Sequence, residues 1–314
     1  MTQKRLITLP TMRESIVMLI CLAVWLTITA SFVGWRPEHG VMAVLIAALF
    51  FFNGATRRLI VALVPFALFG ISYDWMNLLP NYEVNPVDIQ GLYESEKDLF
   101  GIATATGTLT PNEYFAIHNC RLMDFMAGVF YLCWVPVPIL FGLWLYFDRQ
   151  RKIYLHFALV FLLVNLIGFA GYYIHPAAPP WYVAMHGFDF IPGTHGEVAG
   201  LGKFDAMTGL GIFQGLYGRN ANVFAAVPSL HSAYMVIAMW YALKARVSNW
   251  IRLLFAIIVL GIWFTAVYTS HHYLIDVILG ATTAVAGIAL FELVLMRIPS
   301  FSRWIDRYNS YITA

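Results

Sequence analysis

Charged side chains are scarce in this chain, at 11% of 314 residues, against roughly 25% in a soluble domain. That shortage excludes a water-soluble globular fold. The formal net charge of only +2 is small, so its distribution is more informative than its total, and no nucleic-acid partner is expected. Cysteine is nearly missing too: Cys21, Cys120 and Cys133 are too few, and odd in number, for a disulfide framework. Cys21 and Cys133 lie inside apolar stretches and read as packing residues. No Cys/His cluster has metal-ligand spacing, and neither a dinucleotide glycine fingerprint nor a nucleotide phosphate loop is present. Neither a metal nor a cofactor is therefore expected. Internal repeats and low-complexity tracts are absent as well.

What remains is apolar. Hydrophobic residues make up 60% of the chain and aromatic residues 16%, with a mean hydropathy of +0.70. A helix needs about 20 apolar residues to cross the hydrocarbon core. About eight stretches meet that pattern: 15–34, 39–54, 59–79, 122–147, 153–174, 228–245, 251–270 and 273–296. The expected fold is all-α, a polytopic membrane helix bundle with about eight transmembrane helices. Lys4, Arg5 and Arg13 precede the first stretch as they would a signal peptide. It is too long for a cleaved apolar region and lacks a small-residue cleavage site, so it reads as a signal anchor.

Basic residues orient the bundle, because cytoplasmic segments carry the excess of Lys and Arg. With both termini in the cytoplasm, only Arg36, Lys97, Arg121, Lys203 and Arg219 of the 19 Lys and Arg fall outside. Two long segments then lie on the outer face, near 80–121 and 175–227. In the first, Thr110-Pro111-Asn112-Glu113 is a capping box with proline at the first helical position, so a helix starts there. In the second, the prolines of His175-Pro176-Ala177-Ala178-Pro179-Pro180 end a helix. Trp181 and Tyr182 suit the headgroup level, and the glycine-rich run from Gly187 to Gly218 reads as a mobile loop or lid.

Two histidine motifs share that outer face, joined by one in-and-out helical hairpin: Pro228-Ser229-Leu230-His231-Ser232 and His271-His272-Tyr273-Leu274-Ile275-Asp276. His272 and Asp276, four residues apart, lie on one helix face, where a carboxylate can orient an imidazole. An Asp just inside an apolar segment marks a functional site unless it is otherwise paired. The plainer reading is an interfacial histidine pair solvated by headgroups. Pro228 opens its helix, so the N–H groups of Ser229, Leu230 and His231 are expected to face outward unpaired, as an anion site. The plainer reading there is a capped helix start. Together the motifs point to nucleophilic histidine chemistry at a membrane surface.

These two motifs resemble the superfamily of type-2 phosphatidic acid phosphatases and vanadium haloperoxidases, and within it the inositol phosphorylceramide synthase branch. The likeness covers about residues 150–296, and the N-terminal half in topology only. It implies a six-helix phosphatidic-acid-phosphatase-like core in one integral membrane domain, residues 1–314. In that arrangement 1–121 carries the N-terminal spans and outer loop, 122–296 the catalytic core and 297–314 a cytoplasmic tail. The departures are informative. The phosphatase pattern reads Lys-x6-Arg-Pro, Pro-Ser-Gly-His and Ser-Arg-x5-His-x3-Asp. Here Gly168 and His175 stand at the first Lys and Arg, with Pro176 retained; Leu230 replaces the glycine and Thr265-Ala266 the Ser-Arg. Three phosphate-gripping cations are missing. A phosphomonoester carries about −1.5 to −2 at neutral pH and a phosphodiester one charge, so a cation-poor pocket suits the diester.

The resemblance implies His272 as nucleophile, Asp276 as its orienting carboxylate, and His231 as acid and then base. Ser229, Arg219, His271, His175 and Lys203 are the candidate substrate-binding residues. Arg219, the best remaining cation, reads equally as a solvated loop arginine, and His175 either donates to phosphate or ends a helix at the interface. The implied partners are phosphatidylinositol as donor, ceramide as acceptor and the bilayer itself. The reaction is phosphotransfer through a phosphohistidine, on the periplasmic or lumenal face; the expected home is a bacterial inner membrane. A lipid phosphate phosphatase using the same histidines with water is the alternative. A transporter would place its charges near the bilayer midplane, whereas here they gather at one face. Head group, acceptor and oligomeric state are not readable from the residues.

Overall fold

The computed structural model describes residues 9–217 and 222–314. They are overwhelmingly helical and fall into two compact units, the first running to Leu78 with Ile298–Ala314 added, the second comprising Leu79–Arg297.

In the first unit, α1 (Met12–Ile28) opens on the capping box of Thr11 and Glu14 and continues as a π-helical turn to Val33. None of the α1 side chains is buried, as befits a helix whose apolar surface is solvated by lipid tails rather than by protein. α2 (Pro37–Phe52), α3 (Gly54–Ala62) and α4 (Val64–Trp75) follow. The C-terminal helix Pro299–Thr313 buries Ile305 and Ile312 and donates the Tyr308 hydroxyl to the Val61 carbonyl at 2.6 Å.

The second unit begins with α5 (Gln90–Phe100), the antiparallel hairpin β1 (Ile102–Thr104) and β2 (Gly107–Leu109), and α6 (Pro111–Ile117). The expected capping box is in place: Thr110 accepts from the Glu113 N–H at 3.2 Å, and Glu113 accepts from the Thr110 N–H at 2.8 Å. Then come α7 (Arg121–Tyr131), α8 (Pro136–Phe147), α9 (Arg151–Ile174), α10 (Pro180–His186), α11 (Gly202–Thr208) and α12 (Ile212–Tyr217). The unit closes with α13 (Leu230–Lys244), α14 (Asn249–Tyr268) and α15 (Leu274–Ala289), the last continuing through π and 3-10 turns to Arg297. The core sits around α13, which packs against α8, α9, α14 and α15.

The span count differs from expectation. Among the described residues, five helices are long and apolar enough to cross a membrane: Met12–Val33, Arg121–Phe147, Arg151–Ile174, Asn249–Tyr268 and Leu274–Arg297. The pair Gly54–Ala62 and Val64–Leu78, bent by 48°, makes a sixth. The expected stretches 39–54 and 228–245 become helices of 16 and 15 residues, below the usual length. For α13 the reason is its environment: its side chains are covered mostly by other helices, so lipid thickness does not set its length. The expected loop from Gly187 to Gly218 contains helical turns where it is described. Its described part carries α11 and α12, with Leu201, Phe204 and Phe213 packed on Tyr131 of α7.

Candidate active site

The second histidine motif forms the turn between α14 and α15. His271 and His272 both donate their N–H groups to the Ala266 carbonyl, at 3.1 and 2.9 Å. Ser270 takes a left-handed φ of 61° to reverse the chain. Three side chains then fix the start of α15. Asp276 Oδ2 accepts from the Tyr273 N–H at 2.8 Å. The wholly buried carboxylate of Glu96, reaching over from α5, accepts from the N–H groups of Leu274 at 2.9 Å and Ile275 at 3.1 Å. Asn112 of α6 donates to the carbonyls of Val267 at 2.8 Å and His272 at 2.9 Å. A helix start leaves its first N–H groups without intrahelical partners, and here two carboxylates supply them. Burial raises the Glu96 carboxyl above its ordinary range and the Asp276 charge adds to this, against the lowering effect of the two N–H bonds.

His272 is almost wholly buried. Its Nδ1 lies 3.1 Å from the Ala226 carbonyl and 3.5 Å from Asp276 Oδ2. Both neighbours are acceptors, so the network assigns the ring proton to Nδ1 and leaves the lone pair on Nε2. That Nε2 is 3.0 Å from Nδ1 of His231, which must therefore donate. The expected His272–Asp276 pairing is present, with the Ala226 carbonyl as the nearer partner. The loop carrying Ala226 is itself held: the Ala177 N–H donates to the Phe224 carbonyl at 3.0 Å, and buried Asn81 donates to the carbonyls of Tyr172 and Phe224 at 2.9 and 2.8 Å.

His231 is the second residue of α13, its ring stacked on Tyr131 at 5.2 Å and edge-on to Trp134 at 4.4 Å. One expectation fails at this helix start. The Ser229 N–H is not free but donates to the Asp276 carbonyl at 3.0 Å, because α13 and α15 begin side by side. Ser229 Oγ, by contrast, is buried without a hydrogen-bond partner among the described residues. His271 lies beside the pair, its Nδ1 2.9 Å from Thr269 Oγ1 and its ring 4.5 Å from that of Tyr217. Burial, reinforced by the neighbouring His272, lowers His271 to about 3. It is thus a neutral hydrogen-bonding ring rather than a cation.

Two of the other candidate ligands have carboxylate partners of their own. His175 ends α9 and lies 3.3 Å from Asp88, matching the helix-end alternative. Lys203 lies 3.5 Å from Asp124, which also accepts from the Tyr268 hydroxyl at 2.6 Å. Arg219 lies outside the described residues. The places of the missing cations are filled by packing. Leu230 leans on Gly168, where a Cβ would lie 2.6 Å from its Cδ2. Ala266 is fully buried in an apolar cluster with Val267 and Val277.

Glu96 and Asn112 were not anticipated. Glu96 sits in the charge-rich run Glu94-Ser95-Glu96-Lys97-Asp98, which reads as solvated. A signal was available, since Leu92 and Glu96 are four apart and both face inward.

Residues 110–290 match the family model of the PAP2 superfamily. The chain is 57% identical over 304 residues to the phosphoinositol dihydroceramide synthase of Bacteroides thetaiotaomicron, covering 97% of this chain and 100% of that protein. It is 29% identical over 130 residues to the inositol phosphorylceramide synthase of Candida albicans, covering 40% of this chain and 26% of that one. With the inositol phosphorylceramide synthase catalytic subunit of Saccharomyces cerevisiae it shares 27% over 157 residues, 46% of this chain and 38% of the other. No solved structure matches.

Proposed function

The chain belongs to the PAP2 superfamily, and we propose that within it the protein is a membrane phosphotransferase. It moves phosphoinositol from phosphatidylinositol to dihydroceramide or ceramide and releases diacylglycerol. The observation that carries this reading is the pair of half-buried His231 and buried His272, with an Nε2 lone pair on His272 facing a proton on His231. The relative that matches over nearly the whole chain supports the choice of lipids through its name.

The chemistry runs in two displacements. His272 Nε2 attacks phosphorus, forming the P–N bond as the bond to the diacylglycerol oxygen breaks, and His231, protonated on both ring nitrogens beside the bound anionic phosphate, gives that oxygen its Nδ1 proton and becomes neutral. Neutral His231 then takes the proton of the incoming lipid hydroxyl, whose oxygen displaces His272 from phosphorus. Asp276 and the Ala226 carbonyl hold His272 in the Nδ1–H tautomer and stabilise the positive charge that develops on the ring. At 3.0 Å the two rings leave no space between them, so the phosphate replaces their hydrogen bond when it binds.

The cation-poor surroundings support a singly charged diester over a phosphomonoester. Three positions where the phosphatase pattern carries cations are occupied otherwise: Gly168 under Leu230, Ala266 in its apolar cluster, and His175 in contact with Asp88. We also assign α2 and α13 as short crossings. That gives eight spans, both termini inside, and a site on the periplasmic face of a bacterial inner membrane.

The test is thin-layer analysis of purified protein with phosphatidylinositol and fluorescent ceramide, beside His272→Ala. A new polar fluorescent lipid from the intact protein, reduced roughly 10³-fold or more in the variant, is the expected result. Release of phosphate and diacylglycerol from phosphatidic acid, with no phosphosphingolipid formed, would instead place the protein among lipid phosphate phosphatases.

A further inference from the structure

The nucleophile of the proposed reaction has no rigid element of its own. His272 lies in the turn ahead of α15, and its backbone is held chiefly from elsewhere. Asn112 grips its carbonyl from α6, and at the same time the Val267 carbonyl near the end of α14. Glu96 holds the two N–H groups that follow Tyr273 from α5. Both side chains are buried. Their helices are too short to span a membrane, at 11 and 7 residues, so both belong to the outer segment that precedes the histidine motifs by well over a hundred residues.

We propose that Glu96 and Asn112 are positioning residues for phosphotransfer, fixing the His272 turn so that Nε2 keeps its line toward His231 and the incoming phosphorus. This rests on the phosphotransfer reading of the histidine pair. Three features of the geometry support a role beyond holding the fold. The contacts converge on three consecutive segments: the His272 carbonyl, the first N–H groups of α15 and the end of α14. Each acts on the main chain, so it sets ring position rather than ring chemistry. Glu96 also leaves Asp276 free of the Leu274 and Ile275 N–H groups. The Asp276 carboxylate can therefore serve the Tyr273 N–H and the His272 ring together. Without Glu96 those two donors would compete for Asp276 and draw it from the imidazole.

The cost of losing such support is large because near-attack geometry is steep, about 10² in rate for a displacement of 1 Å. Glu96→Gln keeps one acceptor oxygen and Glu96→Ala none, while Asn112→Ala releases both carbonyls. Purified wild type and variants would be compared for kcat and KM toward both lipids, and for thermal unfolding in detergent. The expected result is a kcat falling to about one hundredth in Glu96→Ala and Asn112→Ala, less in Glu96→Gln, with KM within twofold of wild type. The Glu96→Ala/Asn112→Ala double variant should lose less than the product of the single losses, since both act on one turn. Unchanged kcat per folded molecule with a lowered melting temperature would overturn the proposal and leave the two residues as structural anchors. So would failure of Glu96→Gln and Asn112→Ala alike to yield folded protein. If wild type itself makes no phosphosphingolipid, the phosphotransfer reading has failed instead, whatever the variants do.

Discussion

A side chain at position 168 and the one at 230 compete for the same space. Gly168 on α9 lets Leu230, the first residue of α13, lie against the helix backbone, with 2.6 Å from a built Cβ to the nearest leucine methyl. The two departures from the phosphatase pattern are thus one change seen from both sides: a long side chain at 168 needs a glycine at 230. This gives a prediction at the residue scale. Gly168→Val should destabilise the protein by roughly 1–3 kcal/mol, the usual cost of overpacking, and lower transfer activity because Leu230 adjoins His231. Adding Leu230→Ala should restore most of the lost stability. Thermal unfolding of the two variants in detergent decides it; an equal loss in both would mean that the contact does not control the site.

Among elements, the decisive pair is α13 and α15. Each carries one histidine motif at its N-terminal end, and their separation sets the 3.0 Å between the rings. Small residues let membrane helices approach closely, and Gly280 is the extreme case. A Cβ there would lie 1.9 Å from the Ser229 carbonyl oxygen and 2.2 Å from Ser232 Oγ. Hydrogen bonds seal the contact: Ser232 Oγ lies 2.7 Å from the Ser229 carbonyl and 2.9 Å from that of Val277, and the Ser229 N–H donates to Asp276. Gly280→Ala has to push the helices apart. We expect about 10²-fold loss of transfer for a shift near 1 Å, even where the variant still inserts and purifies. Activity within twofold of wild type would show that the histidine pair tolerates a wider spacing.

At the scale of the molecule, apolar side chains face outward as well as inward. Helices such as α14 present Leu253, Leu254, Ile257 and Leu260 to the exterior while burying Phe255, Ile258 and Ile262. That inversion has a physical explanation only if the exterior is lipid. The distribution of Lys and Arg then orients the bundle, and Cys120 reports on it, since it is exposed at the end of the outer segment. A membrane-impermeant maleimide should label Cys120 in right-side-out vesicles, with Cys120→Ser removing the signal. Labelling confined to inverted vesicles would reverse the orientation and move the site to the cytoplasmic face.

The sequence by itself determined that this is a helical membrane protein, and it located the histidines. Hydropathy is local and additive, and two histidines and an aspartate in fixed spacing need no partner to be read. The capping box at Thr110 and the His272–Asp276 spacing were legible for the same reason, being set within one turn of helix. Only the tertiary structure decided the rest. That the Ser229 N–H serves Asp276, that the Ala226 carbonyl is the nearer partner of His272, and that α13 is a short helix walled by protein all depend on contacts between distant segments. Glu96 shows the limit most clearly. In a run of charges it reads as solvated, and only when α5 is laid beside the start of α15 does its carboxylate become the partner of two otherwise unfilled N–H groups.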